Sequence, residues 1–143
     1  MSAAVEIRGA TAEDAAAIAP LLGELGYPIT AELAAERLRA FLATGDEVLV
    51  AVADGAVVGL MTLHVTPVLH RPGPVGRITG LVVARAVSRR GVGRALVEAG
   101  EARFRARGCL RVELTSSRRR TEAHAFYKAM GYADNALRFS KAL

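Results

Sequence analysis

Two glycines sit among arginines in the run Ser88-Arg89-Arg90-Gly91-Val92-Gly93-Arg94, directly after the apolar stretch Leu81-Val82-Val83. A strand signal thus enters a bare backbone turn, and a helical pattern follows at once. Glycine lets the chain turn sharply and lets a ligand approach the backbone closely. A helix start leaves N–H groups without intrahelical partners and carries the positive end of the helix dipole. Together these make an anion cradle, and Arg89, Arg90 and Arg94 add full charges beside it. A pyrophosphate is the anion that fits this design. The same Gly-x-Gly also marks a plain tight turn, and the turn alone leaves both readings open. It is not a P-loop, because no Lys follows either glycine, and it lacks the third small residue of a dinucleotide fingerprint, where Leu96 stands.

Other chemistry-bearing residues are sparse. Cys109 follows Gly108 with no His-Asp/Asn partner pattern, so it reads as a small apolar filler rather than an acyl-carrying nucleophile. Three histidines and one cysteine show no ligand spacing, so no metal site is expected.

The elements that must hold the turn can be read from the spacing of apolar residues. Residues 5–8 form a short edge strand. Thr11 caps a helix with Glu13 and Asp14 in its first turn and Ala15, Ile18, Leu21, Leu22 and Leu25 at helical spacing, stopped by Gly26 and Pro28. Thr30 starts a second helix through Leu33, Leu38, Phe41 and Leu42 that ends before Gly45. Strands at 47–53 and 56–65 flank Asp54-Gly55, a hairpin signal. A Pro/Gly loop at 66–74 precedes a strand at 75–83. The cradle opens a helix over 92–107, with Leu96, Val97 and Phe104 inward and Gly108 closing it. A buried strand at 110–115, a helix at 121–130 and a last strand at 137–143 complete the chain. The order strand, two helices, three strands, helix, strand, helix, strand predicts an α/β fold with a mixed sheet and helices on both faces.

Size and charge narrow the class. The 143 residues suit one domain, residues 1–143. No apolar run approaches the ~20 residues of a membrane span. The start lacks a basic segment followed by an apolar block, and a single cysteine suits a reducing compartment, so a cytoplasmic protein without a membrane partner is expected. The net charge of +5 is uneven: residues 1–76 carry 4 basic and 9 acidic side chains, residues 77–143 carry 15 and 5. The basic half contains the cradle, which fits a phosphorylated cofactor; a solvated basic face would carry such charge too. Trp is absent and aromatics are few, so nucleic acid is not the expected partner.

The element order, the Arg/Gly turn and the segment Ala123-His-Ala-Phe-Tyr-Lys-Ala-Met-Gly-Tyr132 together resemble the GNAT superfamily of N-acetyltransferases over essentially the whole chain. The resemblance implies acetyl-coenzyme A as co-substrate and direct transfer to a primary amine in a ternary complex. It implies that the backbone from Arg89 through Arg90, Gly91, Val92 and Gly93 to Arg94 holds the pyrophosphate. It sets the pantetheine arm along Leu81, Val82 and Val83, whose side chains read as core. Ser88 departs from the family's usual Gln or Arg, and Arg120 takes a position where Asn is common. Arg120 is carried as a cofactor contact. Tyr127 matches the general acid that protonates the departing thiolate; Phe126 beside it reads as core.

The base is left open by the residues. Many members carry Glu where this chain has Thr79, which cannot take a proton from an ammonium. His64 or Glu113, acting through water, are the candidate bases, with His70 a further possibility; a packing or surface role for each is the alternative. The acidic first half suggests a cationic acceptor such as a polyamine, aminoglycoside or protein N-terminus. Exposed alternation at the C-terminus points to a homodimer. The rival reading is a non-catalytic module of the same fold that senses acyl-CoA or contacts nucleic acid, favoured by the missing Glu at position 79.

Overall fold

The computed structural model describes residues 4–87 and 90–143, so Ser88 and the predicted phosphate contact Arg89 lie outside the described residues. The chain forms two compact units, Met1–Glu113 and Leu114–Leu143. In the first, β1 (Val5–Gly9) leads through a 3₁₀ turn, Ala12–Asp14, into α1 (Ala15–Leu25) and α2 (Ala31–Ala43). Then come β2 (Glu47–Ala53), β3 (Ala56–Thr66), β4 (Val75–Val83), α3 (Val92–Ala106) and β5 (Arg111–Leu114). The five strands lie in the order β1-β2-β3-β4-β5 in a mixed sheet whose first three pairings are antiparallel. Asp54 and Gly55 make the two-residue β2–β3 turn with φ of +50° and +76°, the geometry their residue types favour.

Alternation along β3 divides the core. Leu60 faces α1 and α2, packing with Ile18, Leu21, Leu38, Val48, Val50 and Val82. Its neighbours Gly59, Met61 and Leu63 face α3. A Cβ on Gly59 would stand 2.9 Å from Leu96 and 3.2 Å from Val92, and one on Gly76 would meet the Phe104 ring at 2.5 Å. Bare backbone at these points lets α3 lie close against the sheet, which fixes where its N-terminus sits.

The ladder between β3 and β4 is interrupted. Thr62 pairs with Gly80 and Leu63 with Ile78, which leaves Thr79 as the extra residue of a β-bulge. At the opposite end of the fold's first helix, Arg8 grips the buried Asp14 with two hydrogen bonds of 2.8 and 2.9 Å, and the Thr11 N–H donates to the same carboxylate at 2.7 Å.

The second unit holds α4 (Thr121–Ala129), and residues 133–143 carry no regular element. The strand expected at 137–143 therefore does not form. Leu137, Phe139 and Leu143 are exposed. Alternation tells which side chains would share a face, but a strand also needs a neighbouring edge to satisfy its N–H and C=O groups.

Candidate active site

The cradle begins as its residues require. Gly91 caps α3 in the left-handed region, φ +81°, and accepts from the Ala95 N–H at 3.0 Å. Among the described residues, nothing stands within 4 Å of where its Cβ would be. The first-turn N–H groups of Val92, Gly93 and Arg94 have no partner inside the helix. This is open, positive backbone of the kind an anion occupies. The Arg90 N–H donates to Val87 O at 3.3 Å, so Arg90 offers its side chain rather than its backbone. The Val92 side chain is buried, and Arg94 pairs with Glu98 at 3.4 Å along the helix. The turn ahead of the cradle is tied to α1, where Glu24 accepts from the Arg85 N–H at 3.1 Å.

Leu81, Val82 and Val83 pair with Met61, Leu60 and Gly59 of β3, with Val82 in the core. On its other side β4 neighbours β5, a strand of four residues beside one of nine, so much of that β4 edge has no β5 residue to pair with.

The candidate bases differ in their partners. His64, on β3, directs Nδ1 at Asp46 Oδ2, 2.6 Å away. Glu113, on β5, has one oxygen 3.6 Å from Arg77 and the other 2.9 Å from the Arg111 Nε that donates to it. Both Glu113 oxygens thus face guanidinium groups, whereas the imidazole has a second nitrogen in hand. Arg77 lies opposite His64 in the β3–β4 register. Thr79, at the bulge, meets Thr62 hydroxyl to hydroxyl at 2.7 Å. His70 is exposed in the loop after β3. Cys109 is buried, and burial raises its thiol pKa, which keeps it a thiol.

In the second unit, Arg120 occupies the N-cap of α4 and Tyr127 its last turn. Tyr127 packs edge-on against Phe126, with centroids 5.3 Å apart, and Tyr132, 6.0 Å apart. Burial pushes the Tyr127 hydroxyl above its ordinary pKa, and the nearby Arg120 charge offsets this only in part. The phenol therefore holds its proton at neutral pH. His124 is engaged with Ser117 O at 2.8 Å. Asp46, Arg77 and Ser116 carry no motif in the sequence; among the described residues, the Ser116 Oγ is buried with no hydrogen-bond partner. Only cross-strand register could have found the first two. Among the described residues no cluster of His, Cys, Asp and Glu could hold a metal, and no helix is long and apolar enough to cross a membrane.

A mixed five-stranded sheet with an open glycine cap at the helix after β4 is an α/β fold with an anion cradle. Residues 17–132 match the Acetyltransferase (GNAT) family; the chain belongs to it and is an acetyl-CoA-dependent acyltransferase. It is 32% identical to an aminoalkylphosphonate N-acetyltransferase from Salmonella typhimurium strain LT2, over 96% of this chain and 91% of that one. Among solved structures it resembles an acetyltransferase from Trypanosoma brucei, at TM-score 0.83 and 26% identity over 98% of this chain and 100% of that one. It also resembles a transcriptional regulator from Bacillus halodurans C-125, at TM-score 0.87 and 25% identity over 98% and 100%.

Proposed function

We propose that residues 1–143 form a single N-acetyltransferase domain that transfers acetyl directly to the primary amine of a small aminoalkyl acceptor in a ternary complex. The observation that carries the cofactor assignment is the Gly91 cap: a left-handed glycine, with no described residue where a Cβ would stand, opens α3. Acetyl-coenzyme A, when bound, supplies the activated thioester. The α3 first turn from Gly91 to Arg94 would hold its pyrophosphate, with the Arg89, Arg90 and Arg120 side chains adding charge. The β4 backbone at Leu81, Val82 and Val83 would guide its arm.

His64 takes the proton that the amine gives up, and Tyr127 holds the proton needed by the departing sulfur. What favours His64 over Glu113 is that both Glu113 oxygens face arginines. The acceptor assignment rests on the Salmonella relative. Of the nine acids in residues 1–76, Asp14, Asp46, Glu47 and Glu24 are already engaged with Arg8, His64, Arg103 and the Arg85 backbone. That weakens the argument for a cationic acceptor. Beside His64, Arg77 and Arg111 face Glu113, and Asp46 adds a second carboxylate, so the local charges balance. The phosphonate on the acceptor therefore follows from the Salmonella relative and not from local charge. A cytoplasmic homodimer completes the proposal; light scattering should give twice 15.1 kDa.

The test is release of free thiol from acetyl-CoA with aminoethylphosphonate, ethylamine and spermidine. We expect kcat/KM for the phosphonate to exceed ethylamine by at least about tenfold, ~1.4 kcal/mol. Preference for spermidine would overturn the acceptor class. No release with any amine would leave the acyl-CoA sensor.

A further inference from the structure

We infer that Asp46 is a positioning residue for His64: its carboxylate fixes the Nδ1–H tautomer and leaves Nε2 to take the acceptor's proton. This rests on the reading of His64 as the base.

The pair is built by the chain's turn into the sheet. The Thr44 hydroxyl donates to Phe41 O at 2.6 Å and lies 3.3 Å from the Asp46 N–H, which donates to it. Gly45, at φ +86°, swings the chain between them. Since Glu47 pairs with Leu63, the residue before Glu47 comes to lie opposite the residue after Leu63. Asp46 and His64 are 18 positions apart in sequence and 2.6 Å apart in space for that reason.

The burial of the two groups is unequal. The Asp46 side chain is 16% exposed and the His64 side chain 43%. An ionised carboxylate can only accept, so the proton between them belongs to Nδ1. A neutral imidazole protonated at Nδ1 has its lone pair at Nε2. The charged group facing His64 from β4 is Arg77, itself directed at Glu113. When an amine N–H bond breaks, its electron pair stays on nitrogen, the proton goes to Nε2, and Asp46 remains a carboxylate. Holding the ring in one tautomer and one orientation is what such a second residue contributes.

The experiment compares wild type with Asp46→Asn, Asp46→Ala and His64→Gln. Ring-nitrogen NMR of the intact chain, with the His64 signals assigned by their loss in His64→Gln, reads the tautomer. Turnover is read with acetyl-CoA and aminoethylphosphonate. We expect wild-type His64 to be protonated at Nδ1 when neutral, and both Asp46 variants to shift toward the Nε2–H form. Their kcat should fall about tenfold or more, with KM for acetyl-CoA within about twofold. If Asp46→Ala keeps the Nδ1–H tautomer, or keeps wild-type kcat with only a lower Tm, the positioning role is overturned while His64 stands. If His64→Gln turns over at the wild-type rate, the base reading falls and this role with it. If wild type does not turn over aminoethylphosphonate, the acceptor class falls and the tautomer alone decides on Asp46.

Discussion

The Thr62 and Thr79 hydroxyls meet at 2.7 Å across the β3–β4 bulge, and Thr79 Oγ1 also donates to Thr62 O at 3.3 Å. Position 79, where the family resemblance implies a carboxylate, is here closed on itself by a neutral hydrogen bond. Thr79→Val removes that bond at an exposed site, so it should cost about 0.5–1 kcal/mol of stability. Turnover should stay within about threefold of wild type. A loss near that of a catalytic group would place Thr79 in the chemistry and is checked by steady-state kinetics alongside a urea melt.

The cradle is tested at Gly91. Its φ of +81° strains any L side chain, by roughly 1–2 kcal/mol. A Val side chain would also fill the open space beside the first turn. Gly91→Val should raise the acetyl-CoA dissociation constant at least tenfold, about 1.4 kcal/mol, in a protein that still folds. Calorimetric titration giving wild-type affinity would remove the pyrophosphate from this turn.

Tyr127→Phe keeps the edge-on packing with Phe126 and Tyr132 and deletes only the hydroxyl. Turnover should fall roughly 10²-fold, with cofactor affinity and Tm little changed. Because burial raises the hydroxyl above its ordinary value of 10.0, Tyr127 keeps its proton up to and beyond that pH. Any alkaline loss of rate in the wild type between pH 8 and 9.5 should therefore belong to another group. Near wild-type turnover in the variant would leave the tyrosine as packing alone.

Acid sensitivity should trace to Asp14. The two Arg8 hydrogen bonds and the Thr11 N–H hold its folded-state pKa below the ordinary 3.8. A lowered carboxylate pKa stabilises the fold fully above the unfolded value and loses that contribution as pH falls through the folded value. Asp14→Asn should thus cost about 1 kcal/mol at pH 7, the low end for a buried acceptor because Arg8 stays partly solvated. Thermal melts should show the full gap between the two proteins above pH 3.8 and its progressive closing as pH falls below that value. A gap that persists unchanged at pH 2.5 would rule out the carboxylate as its source.

Local chemistry was sufficient for much of this molecule. The Asp54-Gly55 turn, the Thr30 cap whose hydroxyl accepts from the Leu33 N–H, and the start of α3 at Gly91 all follow from what neighbouring residues do to the backbone. So do the apolar stripes of the helices, while the family was legible only through the resemblance carried by the element order, the Arg/Gly turn and the segment 123–132. Spacing left three things undecided, each dependent on pairing between distant segments. The apolar alternation at 137–143 makes no strand, since a ladder needs a partner edge that alternation does not supply. Thr79 is the unpaired residue of a bulge, which only the register of β3 against β4 creates. His64 and Glu113 look equally eligible as bases in one dimension. The fold brings Asp46 to one and Arg77 and Arg111 to the other, because sheet neighbours are chosen by hydrogen-bond register and burial across the chain rather than by proximity along it.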